Sequence, residues 1–334
     1  MKTNWSCLSN LLVRMKRPYC RIACAAIVAL SGLVAGQVRA DERQLCVLVP
    51  HFKDEYWLSV AYGLEKRAEE TGLTVRFFEA GGYNALARQI TQLDTCATLG
   101  PGAILIGAVS SDAPDLLAAV QKAARGRPVI GLVNELHSDA LSARIGVDWS
   151  EMGLLLGRHL AERFPSAGRP QEAVFLSGPP EAGWVAPLED GLRRGLSGSA
   201  ITLTATYGAD TGTAEQLRLL ETALADHPRP DILIGSAPAI EAAMALFAER
   251  TDRPLLAATY LSQSVARGLV GHRVLAVPFD DPIAQGKLAI DAADAAMAGH
   301  GARALIAPRI IVFGEGIEAE AVKLSPADYF PKLD

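Results

Sequence analysis

The chain has 334 residues, half of them apolar and 21% charged, with 37 acidic against 32 basic side chains and a formal net charge of −5. No cluster of Lys and Arg interrupts that acidic balance, so the cationic footprint that nucleic acid requires is absent. The apolar run from Ile22 to Val34 is shorter than the roughly 20 residues of a membrane-spanning helix.

That run instead fits an export signal. Lys2, Arg14, Lys16, Arg17 and Arg21 precede it, and Val38-Arg39-Ala40 follows with a small residue at the end. Cleavage after residue 40 leaves about 294 residues with 26 basic against 37 acidic side chains, a formal charge of −11. This length is ample for two lobes, each with its own core. Of five cysteines, only Cys46 and Cys96 remain in the exported chain. An even count in an oxidising compartment reads as one disulfide, from the first strand to the end of the second helix. The alternative, two buried free thiols, is open because sequence does not show that the two are close.

In chain order, Cys46 to Pro50 is a buried-type strand. Asp54 then caps a helix running to Thr71, with Trp57, Ala61, Leu64 and Ala68 on one face and Gly72 closing it. Leu73 to Phe78 is the next strand. Asn84 to Leu99 is helical, Ala103 to Ile106 a strand, Asp115 to Ala124 helical, and Val129 to Val133 and Ala143 to Val147 are strands. A helix runs from about Ser150 to Phe164. After the loop at residues 165–170 a second series begins, with strands at Ala173 to Leu176, Ile201 to Thr206, Ile232 to Ile234, Leu255 to Thr259 and Val274 to Ala276. Pro278-Phe279-Asp280-Asp281-Pro282 interrupts the alternation as a hinge crossing, and a helix from Ile283 to about Met297 follows.

Two such βα series predict two doubly wound α/β lobes with parallel sheets and a ligand cleft between them. Residues 41–149 with 279–304 are expected to form one lobe, and 150–278 with 305–334 the other. Nucleophile-elbow, zincin, dinucleotide and phosphate-loop motifs are absent, and the six histidines lack ligand spacing, so no enzyme, metal or cofactor is expected. What stands out is aromatic. Tyr56, Trp57, Tyr83, Trp149 and Tyr260 each fall just past a predicted strand, on the rim where open parallel sheets bind ligands. Any one of them taken alone is better explained as core packing. Together they suit a sugar ring by stacking or a methylated ammonium group by cation–π attraction. Asp54 and Asp280 share the rim, with competing roles as helix cap and turn residue.

Leu45-Cys46, Lys53-Asp54 with Tyr56-Trp57-Leu58-Ser59, Glu79-Ala80-Gly81-Gly82-Tyr83, Gly146-Val147 with Trp149, Glu241-Ala242-Ala243-Met244 and Tyr260-Leu261-Ser262 carry a family resemblance. The chain resembles the trimethylamine-N-oxide-sensing periplasmic proteins of bacterial two-component respiratory systems. These have the type I periplasmic-binding-protein fold and partner a membrane sensor histidine kinase. The resemblance implies a periplasmic protein with an aromatic box of Trp57, Trp149, Tyr83 and Tyr260, Tyr56 nearby, around a trimethylammonium group. Tyrosine hydroxyls or a water would donate to the N-oxide oxygen. A sugar-type ABC-transport binding protein is the second reading. The chain departs from the family at Asp148, where proline is usual, and at Pro180 to Ala186, where Trp184 replaces small residues. Trp184 is therefore expected outside the cleft, facing a partner.

Overall fold

The computed structural model describes residues 43–333, so the expected export signal lies outside the described residues. No helix among the described residues is long and apolar enough to cross a membrane.

The first series is β1 (Gln44–Val49), α1 (Glu55–Thr71), β2 (Thr74–Glu79), α2 (Leu86–Leu99), β3 (Ala103–Ile106), α3 (Pro114–Ala124), β4 (Val129–Val133) and β5 (Ala143–Gly146). After α4 (Trp149–Arg163) come β6 (Gln171–Ser177), α5 (Val185–Leu196), β7 (Ile201–Gly208), α6 (Thr213–Asp226) and β8 (Ile232–Gly235). The series continues with α7 (Ala237–Leu246), β9 (Leu255–Ala258), α8 (Gln263–Val270) and β10 (Ala276–Phe279). The chain ends with α9 (Pro282–Met297), β11 (Ala302–Ile306), β12 (Ile311–Gly314) and a 3₁₀ turn at Ala319–Ala321.

Two six-stranded sheets result, ordered β11-β5-β4-β3-β1-β2 and β12-β10-β9-β8-β6-β7. Every pairing is parallel except β10 with β12. Helices cover both faces of such a sheet, which is why β1, β3 and β8 are apolar runs without alternation and are almost wholly buried. In each sheet the order reverses beside the first strand of the series, placing a crevice at the carboxyl ends of β1 and β3 and of β6 and β8.

Caps fix where the rim helices begin. Asp54 accepts from the Tyr56 amide at the start of α1, and Gly72 ends that helix with φ 68, in the left-handed region that glycine enters without strain. Asp148 accepts from the amides of Ser150 and Glu151 at the start of α4, so the departure from proline installs a cap. Cys46 and Cys96 are disulfide-bonded, with Cα atoms 6.1 Å apart. The bond ties β1 to α2 across 50 residues, a closure that the chain-entropy model values at about 4 kcal/mol.

The chain passes between the sheets after β5, after β10 and between β11 and β12. The second passage runs through Asp280 and Asp281, the latter at φ 47 and capping α9. One strand differs from expectation: β10 spans Ala276–Phe279, not Val274 to Ala276. Pro278 lies beyond the pairing with β9, which involves only Ala276, and stands opposite Val312 of the edge strand β12. The last residues also reach both lobes. Leu305 and Ile306 pair with β5, Ser325 hydrogen-bonds with both Ser59 and Gln263, and Leu333 bridges Phe77.

Candidate functional site

The carboxyl ends of both sheets converge on a small cavity lined by Asp54, Tyr56, Trp57, Tyr83, Val133, Asn134, Trp149, Trp184, Thr211 and Tyr260. Tyr56 and Trp57 enter on the first turn of α1, Tyr83 follows β2, Trp149 opens α4 and Tyr260 follows β9. All five are at least 95% buried. The rings meet mostly edge to face: Tyr56 with Trp57 (centroids 6.2 Å), Tyr56 with Tyr260 (5.3 Å) and Trp184 with Tyr260 (6.0 Å), while Trp149 and Trp184 tilt at 42° with centroids 5.6 Å apart. Gly107 leaves the space into which the six-membered ring of Trp57 extends, since a Cβ there would overlap it.

The polar ends of these aromatics are tied down. Tyr260 donates its hydroxyl to Asp54 Oδ2 (2.6 Å), Tyr56 donates to Asp280 Oδ2 (2.7 Å), and the Trp149 indole N–H donates to the carbonyl of Val133 (3.2 Å). Gln285 Nε2 donates to Tyr56 Oη and to Asp280. Burial pushes the carboxyls of Asp54 and Asp280 up to about 6, against the lowering effect of these hydrogen bonds. Burial, reinforced by the neighbouring carboxylates, pushes Tyr56 and Tyr260 well above the ordinary phenol range, so both stay protonated donors. Asp280 touches the box only through Tyr56 and does not line the cavity.

Val133 stores strain beside the box. Its φ is 63, and the Asn134 amide donates to the Leu132 carbonyl two residues back, a γ-turn of the rare positive-φ kind centred on a β-branched residue. That turn aims the Val133 carbonyl at Trp149 and sends Asn134 toward Tyr83, whose oxygen accepts from Asn134 Nδ2 at 3.1 Å.

Trp184 is not where the sequence places it. It is 3% exposed, lines the cavity, packs on Trp149 and Tyr260, and donates its indole N–H to Tyr83 Oη at 3.2 Å. The loop at 178–183 folds back over the carboxyl end of β6. Gly178 makes room, because a Cβ there would overlap the Trp184 ring. Trp184 stands seven residues past β6, no further than Trp57 stands past β1, and the reversing loop returns its indole to the rim.

With this geometry in view, comparison with known proteins assigns the family. The chain matches the periplasmic binding protein domain over residues 45–301. The chain belongs to the periplasmic binding protein family. Among its relatives, this binding protein is 34% identical to the periplasmic protein TorT of Escherichia coli K12 over 86% of its own length and 83% of that protein's. It is 32% identical, with a TM-score of 0.75, to TorT in crystal structures of the TorS sensor domain–TorT complex without ligand and with trimethylamine N-oxide, covering 87% of this chain and 99% of that one. An ABC transporter solute-binding protein from Bradyrhizobium sp. BTAi1, crystallised with bis-tris, matches at 32% identity and a TM-score of 0.72 over 87% and 89%.

Several residues of this binding protein's site escape sequence reasoning. Asn134 directly follows β4 and His51 nearly follows β1, positions that the strand-end rule already marks. Neither is Trp or Tyr, so a search for those ring faces passes over both, although the His51 ring meets Tyr83 edge to face at 5.8 Å. Asp210 and Thr211 follow β7 at the edge of the second sheet, and only the meeting of the lobes brings them to His51.

Proposed function

We propose that the protein is a non-catalytic periplasmic sensor that binds a small methylated amine, trimethylamine N-oxide in the first instance, and reports it to the periplasmic domain of a sensor histidine kinase. One observation carries this reading: Tyr56, Trp57, Tyr83, Trp149, Tyr260 and Trp184 surround one small cavity with aromatic rings. A trimethylammonium group has no N–H, so hydrogen bonds do not hold it. It is recognised by shape and by the negative faces of rings, at roughly 0.5–2 kcal/mol per contact. A sugar fits poorly, because each buried hydroxyl needs a partner, while the hydroxyls of Tyr56 and Tyr260 and the Trp149 N–H are already committed. TorT, which assembles with a sensor domain and has been crystallised in that complex with trimethylamine N-oxide, supports both ligand and partner.

Calorimetry of the mature protein against trimethylamine N-oxide, betaine, choline and ribose tests the ligand. Trp57→Ala and Trp149→Ala are each expected to weaken binding at least tenfold, since about 1.4 kcal/mol is a factor of ten; binding of ribose alone, or alanine variants that melt lower yet keep full affinity, would overturn the reading. A second role, delivery of an amine to an ABC transporter, draws support from the Bradyrhizobium protein and its bound bis-tris, itself an amine. Co-purification with a sensor domain or with a permease separates the two.

A further inference from the structure

Four features of Trp184 go beyond wall-building. Its indole comes from the second lobe, at the start of α5, yet it donates to a hydroxyl of the first lobe. That hydroxyl, on Tyr83, has two lone pairs; the N–H groups of Asn134 and Trp184 donate to it at 3.1 and 3.2 Å, and the Trp57 indole lies near the same oxygen. With its acceptor sites filled, the phenol acts only as a donor, and its proton has no acceptor among the described residues. Burial raises Tyr83 above the ordinary phenol range, offset in part by Asn134, Trp184 and Trp57, so the proton is retained. Finally, the loop bearing Trp184 is seated on the first lobe, since a Cβ on Gly183 would lie 2.8 Å from both the Glu135 carbonyl oxygen and Ser111 Cβ.

We propose that Trp184 is a positioning and specificity residue: by filling the second lone pair of Tyr83 it turns that phenol into an obligate donor aimed into the box, so that the box selects amines bearing an oxygen on nitrogen over quaternary ammonium groups without one. The proposal rests on the aromatic-box reading above. Trp184 serves as a ring wall for every ligand, whereas its N–H matters only for a ligand with an acceptor. These two roles separate experimentally, because phenylalanine keeps a ring and lacks the N–H.

The test is a titration of wild type, Trp184→Phe, Tyr83→Phe and the double variant with trimethylamine N-oxide and with tetramethylammonium, alongside melting temperatures. Loss of wall area in Trp184→Phe lowers both affinities; the readout is their ratio. In Trp184→Phe the preference for the N-oxide is expected to fall about fivefold to tenfold, the scale of one hydrogen bond. Tyr83→Phe should show a similar fall, and the double variant little more than Tyr83→Phe alone, because Trp184 acts on the ligand's oxygen only through the Tyr83 hydroxyl that Tyr83→Phe removes. An unchanged ratio in a folded Trp184→Phe protein overturns the inference alone, as do fully additive effects in the double variant. Failure of wild type to bind either probe overturns the box reading and this inference with it.

Discussion

Asp54 works at two levels at once. It caps α1 through Oδ1, and through Oδ2 it holds Tyr260 across the cleft while facing the cavity. Burial raises its carboxyl to about 6 from an ordinary value of 3.8, so the fold favours the protonated form. The folded state therefore binds more protons than the unfolded one between about pH 4 and 6, and the stability this group contributes is present at low pH and lost as pH rises through that window. Asp280, also raised to about 6 by burial, adds in the same sense. A permanently cationic ligand reverses the preference, because it favours the ionised carboxylate. Tetramethylammonium is thus expected to bind roughly tenfold more weakly at pH 5 than at pH 7, and Asp54→Asn to flatten the profile. A wild-type profile that is already flat would remove Asp54 from the ligand's surroundings. At this scale the five aromatics and Asp54 were legible because each stands two to eight residues past the end of a strand, and a parallel sheet points all its strand ends one way. Trp184, seven residues past β6, falls in the same range, but it departs from the family pattern, and on that ground the sequence reading sets it outside the cleft.

The helices that carry Trp149 and Trp184 pack with their backbones touching. Gly153 and Gly157 of α4 face Gly191 and Gly195 of α5, and the two helices run side by side in the same direction, with Ser150 opposite Gly191 and Leu154 opposite Gly195. A Cβ on Gly191 would overlap the Ser150 carbonyl oxygen, and one on Gly157 would lie 2.6 Å from the Leu192 carbonyl oxygen. This close approach draws the two helix N-termini together, which is what sets Trp149 and Trp184 with centroids 5.6 Å apart. Gly191→Ala, the substitution nearest the rings, is expected to force the helices apart, lower the melting temperature by several degrees, and weaken ligand binding. Gly195→Ala, one turn further from the rings, should lower the melting temperature with a smaller effect on affinity. Equal affinity in both variants would mean that the helix pair does not set the ring spacing. The periodic helices and the apolar strands were readable from hydrophobic spacing alone. The strands β11 and β12 were not anticipated: β11 pairs only with β5 and β12 only with β10, at the sheet edges, so both owe their extended form to partners far away in sequence.

Across the whole molecule the lobes are joined by side chains reaching over the cleft. His51, fully buried after β1, faces Asp210 Oδ1 and Thr211 Oγ1 at 3.1 Å, and Asp210 Oδ2 also accepts from the Tyr83 amide at 3.3 Å. Burial pushes the Asp210 carboxyl up, but the hydrogen bond and charge of His51 and the Thr211 amide more than offset it and hold the group below its ordinary value. An ionised Asp210 only accepts, so His51 Nε2 carries the proton between them. Glu55, on the first turn of α1, accepts from the Ser264 amide on the first turn of α8 at 2.8 Å, a second link near the opposite lip. None of the atoms in these links belongs to a ring of the box, and Asp210 itself does not line the cavity, so its effect is expected on closure. If binding requires the lobes to meet, apparent affinity scales with the fraction of molecules that are closed. Asp210→Ala removes the acceptor of both His51 and the Tyr83 amide, and a hydrogen bond to a charged group contributes about 1.5–3 kcal/mol. The variant is therefore expected to show a larger radius of gyration by small-angle X-ray scattering without ligand. It should bind trimethylamine N-oxide and tetramethylammonium roughly tenfold more weakly, by the same factor for each, in contrast to Trp184→Phe, which changes their ratio. A larger radius with unchanged affinities would show that closure and binding are not coupled through this link, and a loss confined to one ligand would place Asp210 in recognition instead.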